Sequence, residues 1–177
     1  MITIISGTNR NGSNTFKVAR EYQQICKEKG IEANVLSLLD FDMNNDSVFN
    51  EKESDILIPT THFIIVAPEY NGSIPGVLKT LIDKSRVQLA WHFKKALLVG
   101  VASGRAGNLR GLDDLSNILN HLKVTVFPNK LPISTVNNLV DAEGKIHDAN
   151  TRKAIHQQLD EFILWADLKP ELESQKL

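Results

Sequence analysis

Cysteine occurs once in this 177-residue chain, at Cys26. A single thiol excludes an intrachain disulfide framework and the cysteine clusters that hold zinc or iron–sulfur centres. No apolar run approaches the ~20 residues needed to cross a bilayer. The N-terminus has no basic stretch followed by a long apolar one, so neither a membrane partner nor a secretion signal is expected, and the expected location is cytoplasmic. An excess of charge of either sign is missing too. Lys and Arg total 20 against 21 Asp and Glu, a net charge of −1. That argues against nucleic acid or an anionic surface as partner. The histidines show no metal-ligand spacing, and no metal site is expected. There is no repeat, linker or low-complexity tract, so residues 1–177 read as one domain with a polar tail from about residue 169.

What is present is an alternation of short apolar runs with helical patterns. "ITII" (2–5), "EANVLSL" (32–38), "HFIIVA" (62–67), "KALLVGVA" (95–102) and "KVTVFP" (123–128) read as strands. Between and after them, apolar residues recur every three or four positions. Phe16, Ala19, Tyr22 and Cys26 mark a helix over 14–29. Ile74, Val77, Leu78, Leu81 and Ile82 mark another from Pro75, then Leu112, Leu115, Leu119 and Leu122, and last Ile155, Leu159, Phe162, Ile163 and Ala166. Residues 40–54 read as polar and irregular, with a short helix after them. Near-continuous apolar strands alternating with amphipathic helices mean a parallel sheet covered on both faces. Cys26 falls on an apolar helix face, where a buried structural thiol is the expectation and a reactive one the alternative.

Ligands of open parallel sheets bind beyond the carboxyl ends of the strands. Three polar, glycine-rich loops lie there: "SGTNRNGSNT" (6–15), "PEYNGSIPG" (68–76) and "SGRAGN" (103–108). With strand order 2-1-3-4-5 they converge on one crevice. The first runs into a helix N-terminus, where free N–H groups and the helix dipole favour an anion. Thr8, Ser13 and Thr15 offer hydroxyls, Asn14 an amide, and Arg10 a fork of donors suited to phosphate. The competing reading is a plain turn with Ser13 or Asn14 as N-cap, which needs one such residue rather than five. The loop is neither a Walker A sequence, since Ser13 stands at the lysine position, nor G-x-G-x-x-G. A single phosphate, as in a mononucleotide, fits better. In the second loop Pro68 restricts the backbone, Tyr70 offers an aromatic face to a flat ring and Asn71 offers hydrogen bonds to ring edges. Glu69 is read as a positioning residue, with general base as the alternative. Arg105 reads equally as a surface residue or as an attractor of a nicotinamide cofactor's phosphates.

These residues resemble the NAD(P)H-dependent FMN reductases, a flavodoxin-like group that includes chromate and quinone reductases and some azoreductases. Gly7 to Ser13 is similar to that family's G-S-x-R-x-x-S, with Thr8 for serine. "PEYNGSIPGVLKT" is similar to its P-E-Y-N-x-S-x-P-G-x-L-K-N. The resemblance implies a flavodoxin-like three-layer sandwich with a five-stranded parallel sheet. It implies FMN as cofactor, with NADPH or NADH as co-substrate. Thr8, Arg10, Ser13, Asn14 and Thr15 would hold the phosphate, Pro68, Glu69, Tyr70 and Asn71 would line the ring, and Ser103 and Gly104 would close the far side. Chemistry would be borne by the flavin, with no catalytic side chain. Hydride would pass from the nicotinamide to the flavin and on to a small-molecule acceptor by a ping-pong cycle, in a homodimer or homotetramer. Three departures stand out: Thr80 for asparagine, Lys84 where tryptophan is common, and Asn14-Thr15 where an apolar residue precedes asparagine. The alternatives are a flavodoxin-like electron carrier, which the net charge of −1 disfavours, and a non-catalytic mononucleotide-binding module.

Two weaker signals are set aside. "DFDMNNDSVFNE" (40–51) places acidic and amide residues as a calcium loop does, but Asn45 replaces the turn glycine. Ser103 is not in G-x-S-x-G, so hydrolase chemistry is not expected.

Overall fold

The structure, a computed structural model, describes residues 1–141 and 144–169. The tail expected from about residue 169 falls, past Lys169, outside the described residues. Along the chain run β1 (Ile2–Ser6), α1 (Asn14–Glu28), β2 (Ala33–Ser37), α2 (Asp46–Lys52), β3 (His62–Pro68), α3 (Gly76–Lys84), α4 (Val87–Ala90), β4 (Lys95–Val101), α5 (Leu109–His121), β5 (Thr125–Val126), β6 (Leu131–Ile133) and α6 (Ala149–Ala166). All strand pairs are parallel, in the order β2-β1-β3-β4-β5. This is the expected flavodoxin-like order.

Side-chain alternation along each strand splits the core in two. Ile2, Ile4, Ile64, Val66, Leu97 and Val99 face one side and pack with α1 and α6. Ile5, Phe63, Ile65, Ala96 and Leu98 face the other and pack with α3 and α5. The register sets Ile4 beside Val35 and Ile64, and Ile64 beside Leu97, so each layer is continuous across the sheet.

The fifth strand departs from the reading of 123–128. β5 holds only Thr125 and Val126 against Lys95 and Ala96, and β6 takes up the pairing against Val99–Val101. The sheet therefore counts six strands among the described residues. Pro128 has no N–H to give a ladder, and the pairing is interrupted there until Leu131. Gln158 of α6 fills the gap: its Nε2 donates to Asn129 O at 2.7 Å and to Leu98 O at 3.4 Å. Its Oε1 accepts from the buried Tyr22 hydroxyl at 2.6 Å. One side-chain amide thus serves strand groups that the missing ladder would have served.

Two further readings are corrected. Phe16 was expected on the buried stripe of α1, but it is 40% exposed. With Ser13 as N-cap, the inward positions are Thr15, Val18, Ala19, Tyr22, Ile25 and Cys26. The helix expected after residues 40–54 lies inside them, started by Asn45, whose side chain accepts from Ser47 and Val48 N–H. The residues in calcium-loop positions are engaged otherwise: Asp42 accepts from Asn44 N–H, and Asp46 pairs with Lys84 at 2.7 Å. That ammonium holds the Asp46 carboxyl below its usual range. Burial pushes the Cys26 thiol up to about 12, which makes it a structural residue.

At the amino ends of the strands the charged groups are paired within the protein, while the buried Trp91 Nε1 has no partner among the described residues. The buried Glu53 accepts from Arg86 N–H and from its Nε, the latter at 2.8 Å. The Lys94 ammonium donates to Leu57 O at 2.7 Å and Ile58 O at 3.0 Å, over the Phe63 ring. The Met1 amine meets Thr61, and Lys95 reaches Ala166 O, so Met1 and the end of α6 lie at this rim.

Candidate functional site

The opposite rim carries the three predicted loops. Gly7 N–H donates to Val66 O at 2.8 Å, so the first loop leaves β1 still paired to β3. Ser13 caps α1, its side chain accepting from Phe16 N–H at 3.2 Å. The plain N-cap is therefore real, yet it satisfies one donor only. Among the described residues, the backbone N–H groups of Asn11, Gly12, Ser13, Asn14 and Thr15 have no protein acceptor. A row of such amides at the start of a 15-residue helix has the donors to cradle an anion. The Ser13 hydroxyl hydrogen remains to donate while its oxygen caps, and Thr15 is buried beneath.

The second loop is a tight hairpin. Tyr70 and Ser73 exchange backbone hydrogen bonds, with Asn71 at φ 53° and Gly72 at φ 83° between them. Two positive φ angles give the primed turn for which Asn-Gly is the preferred pair. Pro68 is buried at the end of β3, and Glu69 N–H donates to Val101 O at 3.0 Å. The turn's tip leaves Asn71 and Gly72 N–H without protein acceptors among the described residues. The same holds for Ser103, Gly104 and Arg105 in the third loop, which are exposed.

The loops touch one another. The Tyr70 hydroxyl and Thr8 Oγ1 lie 2.7 Å apart. The Arg10 guanidinium sits 5.0 Å above the Tyr70 ring centroid, so one face of the ring expected to be open is covered. Behind the hairpin, the start of α5 grips it. Asn108, buried and left-handed at φ 67°, donates to Ala67 O at 2.8 Å. Ser73 donates to Asp114 at 2.5 Å, and Arg110 lies 3.7 Å from Glu69. Gly100 is required for this fit, because a Cβ there would meet Gly107 O at 2.1 Å.

A fourth loop, after β6, was missed by the sequence reading. Thr135 N–H donates to Gly104 O at 3.0 Å and Val136 N–H to Ala102 O at 3.1 Å. Asn14 Nδ2 donates to Asn137 Oδ1 at 2.8 Å. The only local signal was the polar "STVNN" after a short apolar run. Contacts therefore join loop one to two, three to four and four back to one, while α5, which follows loop three, holds loop two.

The two departures on α3 lie to one side. Thr80 lines a cavity of about 390 Å³ beside the first loop, with Asn9, Leu38, Phe41, Met43 and Val77. Lys84 donates to Met43 O at 2.7 Å and holds this wall in place.

Comparison with known proteins agrees with this fold. The chain is 28% identical over 171 residues to an NAD(P)H-dependent FMN reductase of Pseudomonas aeruginosa, covering 91% of this chain and 92% of the relative. It is 31% identical over 106 residues to a 2-hydroxy-1,4-benzoquinone reductase of a Burkholderia species, covering 58% of each. Its fold superposes on the flavoenzyme NAD(P)H:(acceptor) oxidoreductase of Paracoccus denitrificans with a TM-score of 0.78 at 24% identity, over 94% of this chain and 96% of that one. Residues 1–138 match the family described as NADPH-dependent FMN reductase. The chain belongs to that family, flavodoxin-like oxidoreductases that use FMN and NAD(P)H.

Proposed function

We propose that this protein is a cytoplasmic, single-domain FMN-dependent NAD(P)H oxidoreductase acting on a small acceptor. A quinone, an azo- or nitroaromatic, a metal oxyanion or free flavin has the required chemistry, and the quinone-reducing relative favours the first. The observation that carries the reading is the row of unpartnered amides at Asn11–Thr15, on a loop that touches two further polar loops through Tyr70 and Asn137. The residues present fit the cofactor. The cradle, with Arg10, Ser13, Asn14 and Thr15, would hold its phosphate, and Thr8 would brace the loop through Tyr70. Backbone amides at Asn71 and Gly72 and at Ser103 to Arg105 suit the polar edge of a flavin ring. Pro68, Glu69 and Tyr70 line that wall, with Glu69 as a positioning residue tied to the end of β4 and to Arg110.

When bound, FMN supplies the redox chemistry, accepting a hydride from NAD(P)H and passing the electrons to the acceptor. The side chains bind and orient, and none acts as a nucleophile. The two substrates use the site in turn, in a ping-pong cycle. A homodimer or homotetramer is the proposed assembly.

The test is anaerobic. Protein loaded with FMN is mixed with NADPH, or with NADH, and the blue absorbance band is followed. Bleaching that a quinone reverses supports the reading. A flavin that binds and stays oxidised with both nucleotides overturns the enzyme and leaves a carrier or regulatory protein.

A further inference from the structure

The fourth loop touches the phosphate cradle at one point, Asn137. A primary amide can turn either its NH₂ or its C=O toward a ligand, and only the NH₂ suits an anion. Asn14, the first residue of α1, therefore binds phosphate only if its carboxamide is set the right way round. Asn137 Oδ1 accepts from Asn14 Nδ2 at 2.8 Å, which turns the NH₂ end toward the fourth loop and uses one of its two hydrogens. The other hydrogen has no protein acceptor among the described residues.

Asn137 is exposed, but the backbone that carries it is anchored. It stands in a single 3₁₀ turn, Val136–Asn138, whose first residue is buried. That turn is pinned to the third loop by Thr135 N–H to Gly104 O and by Val136 N–H to Ala102 O. Asn137 is also a neutral acceptor. An aspartate would make the same hydrogen bond, but it would place a negative charge beside the cradle.

We infer that Asn137 is a positioning residue for the phosphate monoester of the mononucleotide, holding the Asn14 amide as a donor. The inference rests on the FMN reading. It adds a residue from the fourth loop to the site, and it links the phosphate end of the ligand to the loop proposed to line its ring.

The test is a pair of titrations on the apoprotein by flavin fluorescence, one with FMN and one with riboflavin, which has no phosphate. Asn137→Ala is expected to weaken FMN about three- to tenfold, the range for one hydrogen bond, with riboflavin unchanged. Asn137→Asp is expected to weaken FMN further, again with riboflavin unchanged. In an Asn14→Ala background, Asn137→Ala is expected to have no added effect, because its action passes through Asn14. Three outcomes overturn the inference: an unchanged FMN affinity, an equal loss for both flavins, or the same loss in the Asn14→Ala background. A wild-type chain that binds neither flavin overturns the FMN reading and the inference with it. Thermal unfolding of the apoprotein variants, expected to match wild type, separates a binding defect from a folding one.

Discussion

The two rims of the sheet handle polar groups in opposite ways. At the amino rim, Glu53 receives both the Arg86 N–H and its guanidinium, and the Lys94 ammonium closes two carbonyls at the end of a helix. At the carboxyl rim, five consecutive amides at the start of α1 have no protein acceptor among the described residues, and the loop tips add more. Of the five, Thr15 is buried and Ser13 and Asn14 are half-buried, and such donors are seldom left unpaired without a reason. The contrast supports the proposal that the carboxyl rim holds the ligand.

Substitutions can break that contrast or sharpen it. The largest effect is expected at Gly100, where the added methyl of Gly100→Ala meets Gly107 O. Backbone must move, at a cost of about 3 kcal/mol. The third loop moves with it, so both the urea midpoint and FMN affinity should fall. Glu53→Ala is expected to separate the two. It removes a charged acceptor from a backbone N–H and should cost about 2 kcal/mol, while FMN affinity in a titration stays at the wild-type value. Ser13→Ala tests the cradle itself. Loss of the cap should destabilise by about 1 kcal/mol, and the lost hydroxyl should weaken FMN but not riboflavin.

The smallest effect is a change in pH dependence. Burial lowers the Lys94 ammonium to about 8, below its ordinary range. Above that value the unfolded chain binds the extra proton, so stability should rise with pH. Cys26, held neutral up to about 12, acts in the opposite sense once an unfolded thiol ionises. The readable window is therefore about pH 8 to 9. Over it wild type should gain less than about 1 kcal/mol that Lys94→Met does not gain, measured by denaturant unfolding at each pH.

The sequence exposed the carboxyl rim better than the sheet edge. β1, β3 and β4 are buried on both faces, so their composition alone marks them, and the loops after them stand out because they are polar where a strand has just ended. The NGS of residues 71–73 carried its own turn geometry. The split fifth strand was only half legible: Pro128 marks the break, but the amide that bridges it comes from Gln158 in a different element. The fourth loop was hidden for a similar reason. "STVNN" reads as any turn would, and its membership rests on Asn14 and Gly104, residues far away in sequence. Phe16 misled because its spacing fits a buried stripe. Only the cap at Ser13 fixes which face of the helix turns inward.

Met1 and the last turn of α6 both lie at the rim away from the four loops, tied to Thr61 and Lys95. A tether joined to either point would present the loop-bearing face outward. On an electrode or a bead, the molecule would then stand with the proposed flavin face to the solution, open to diffusing reactants and distant from the support.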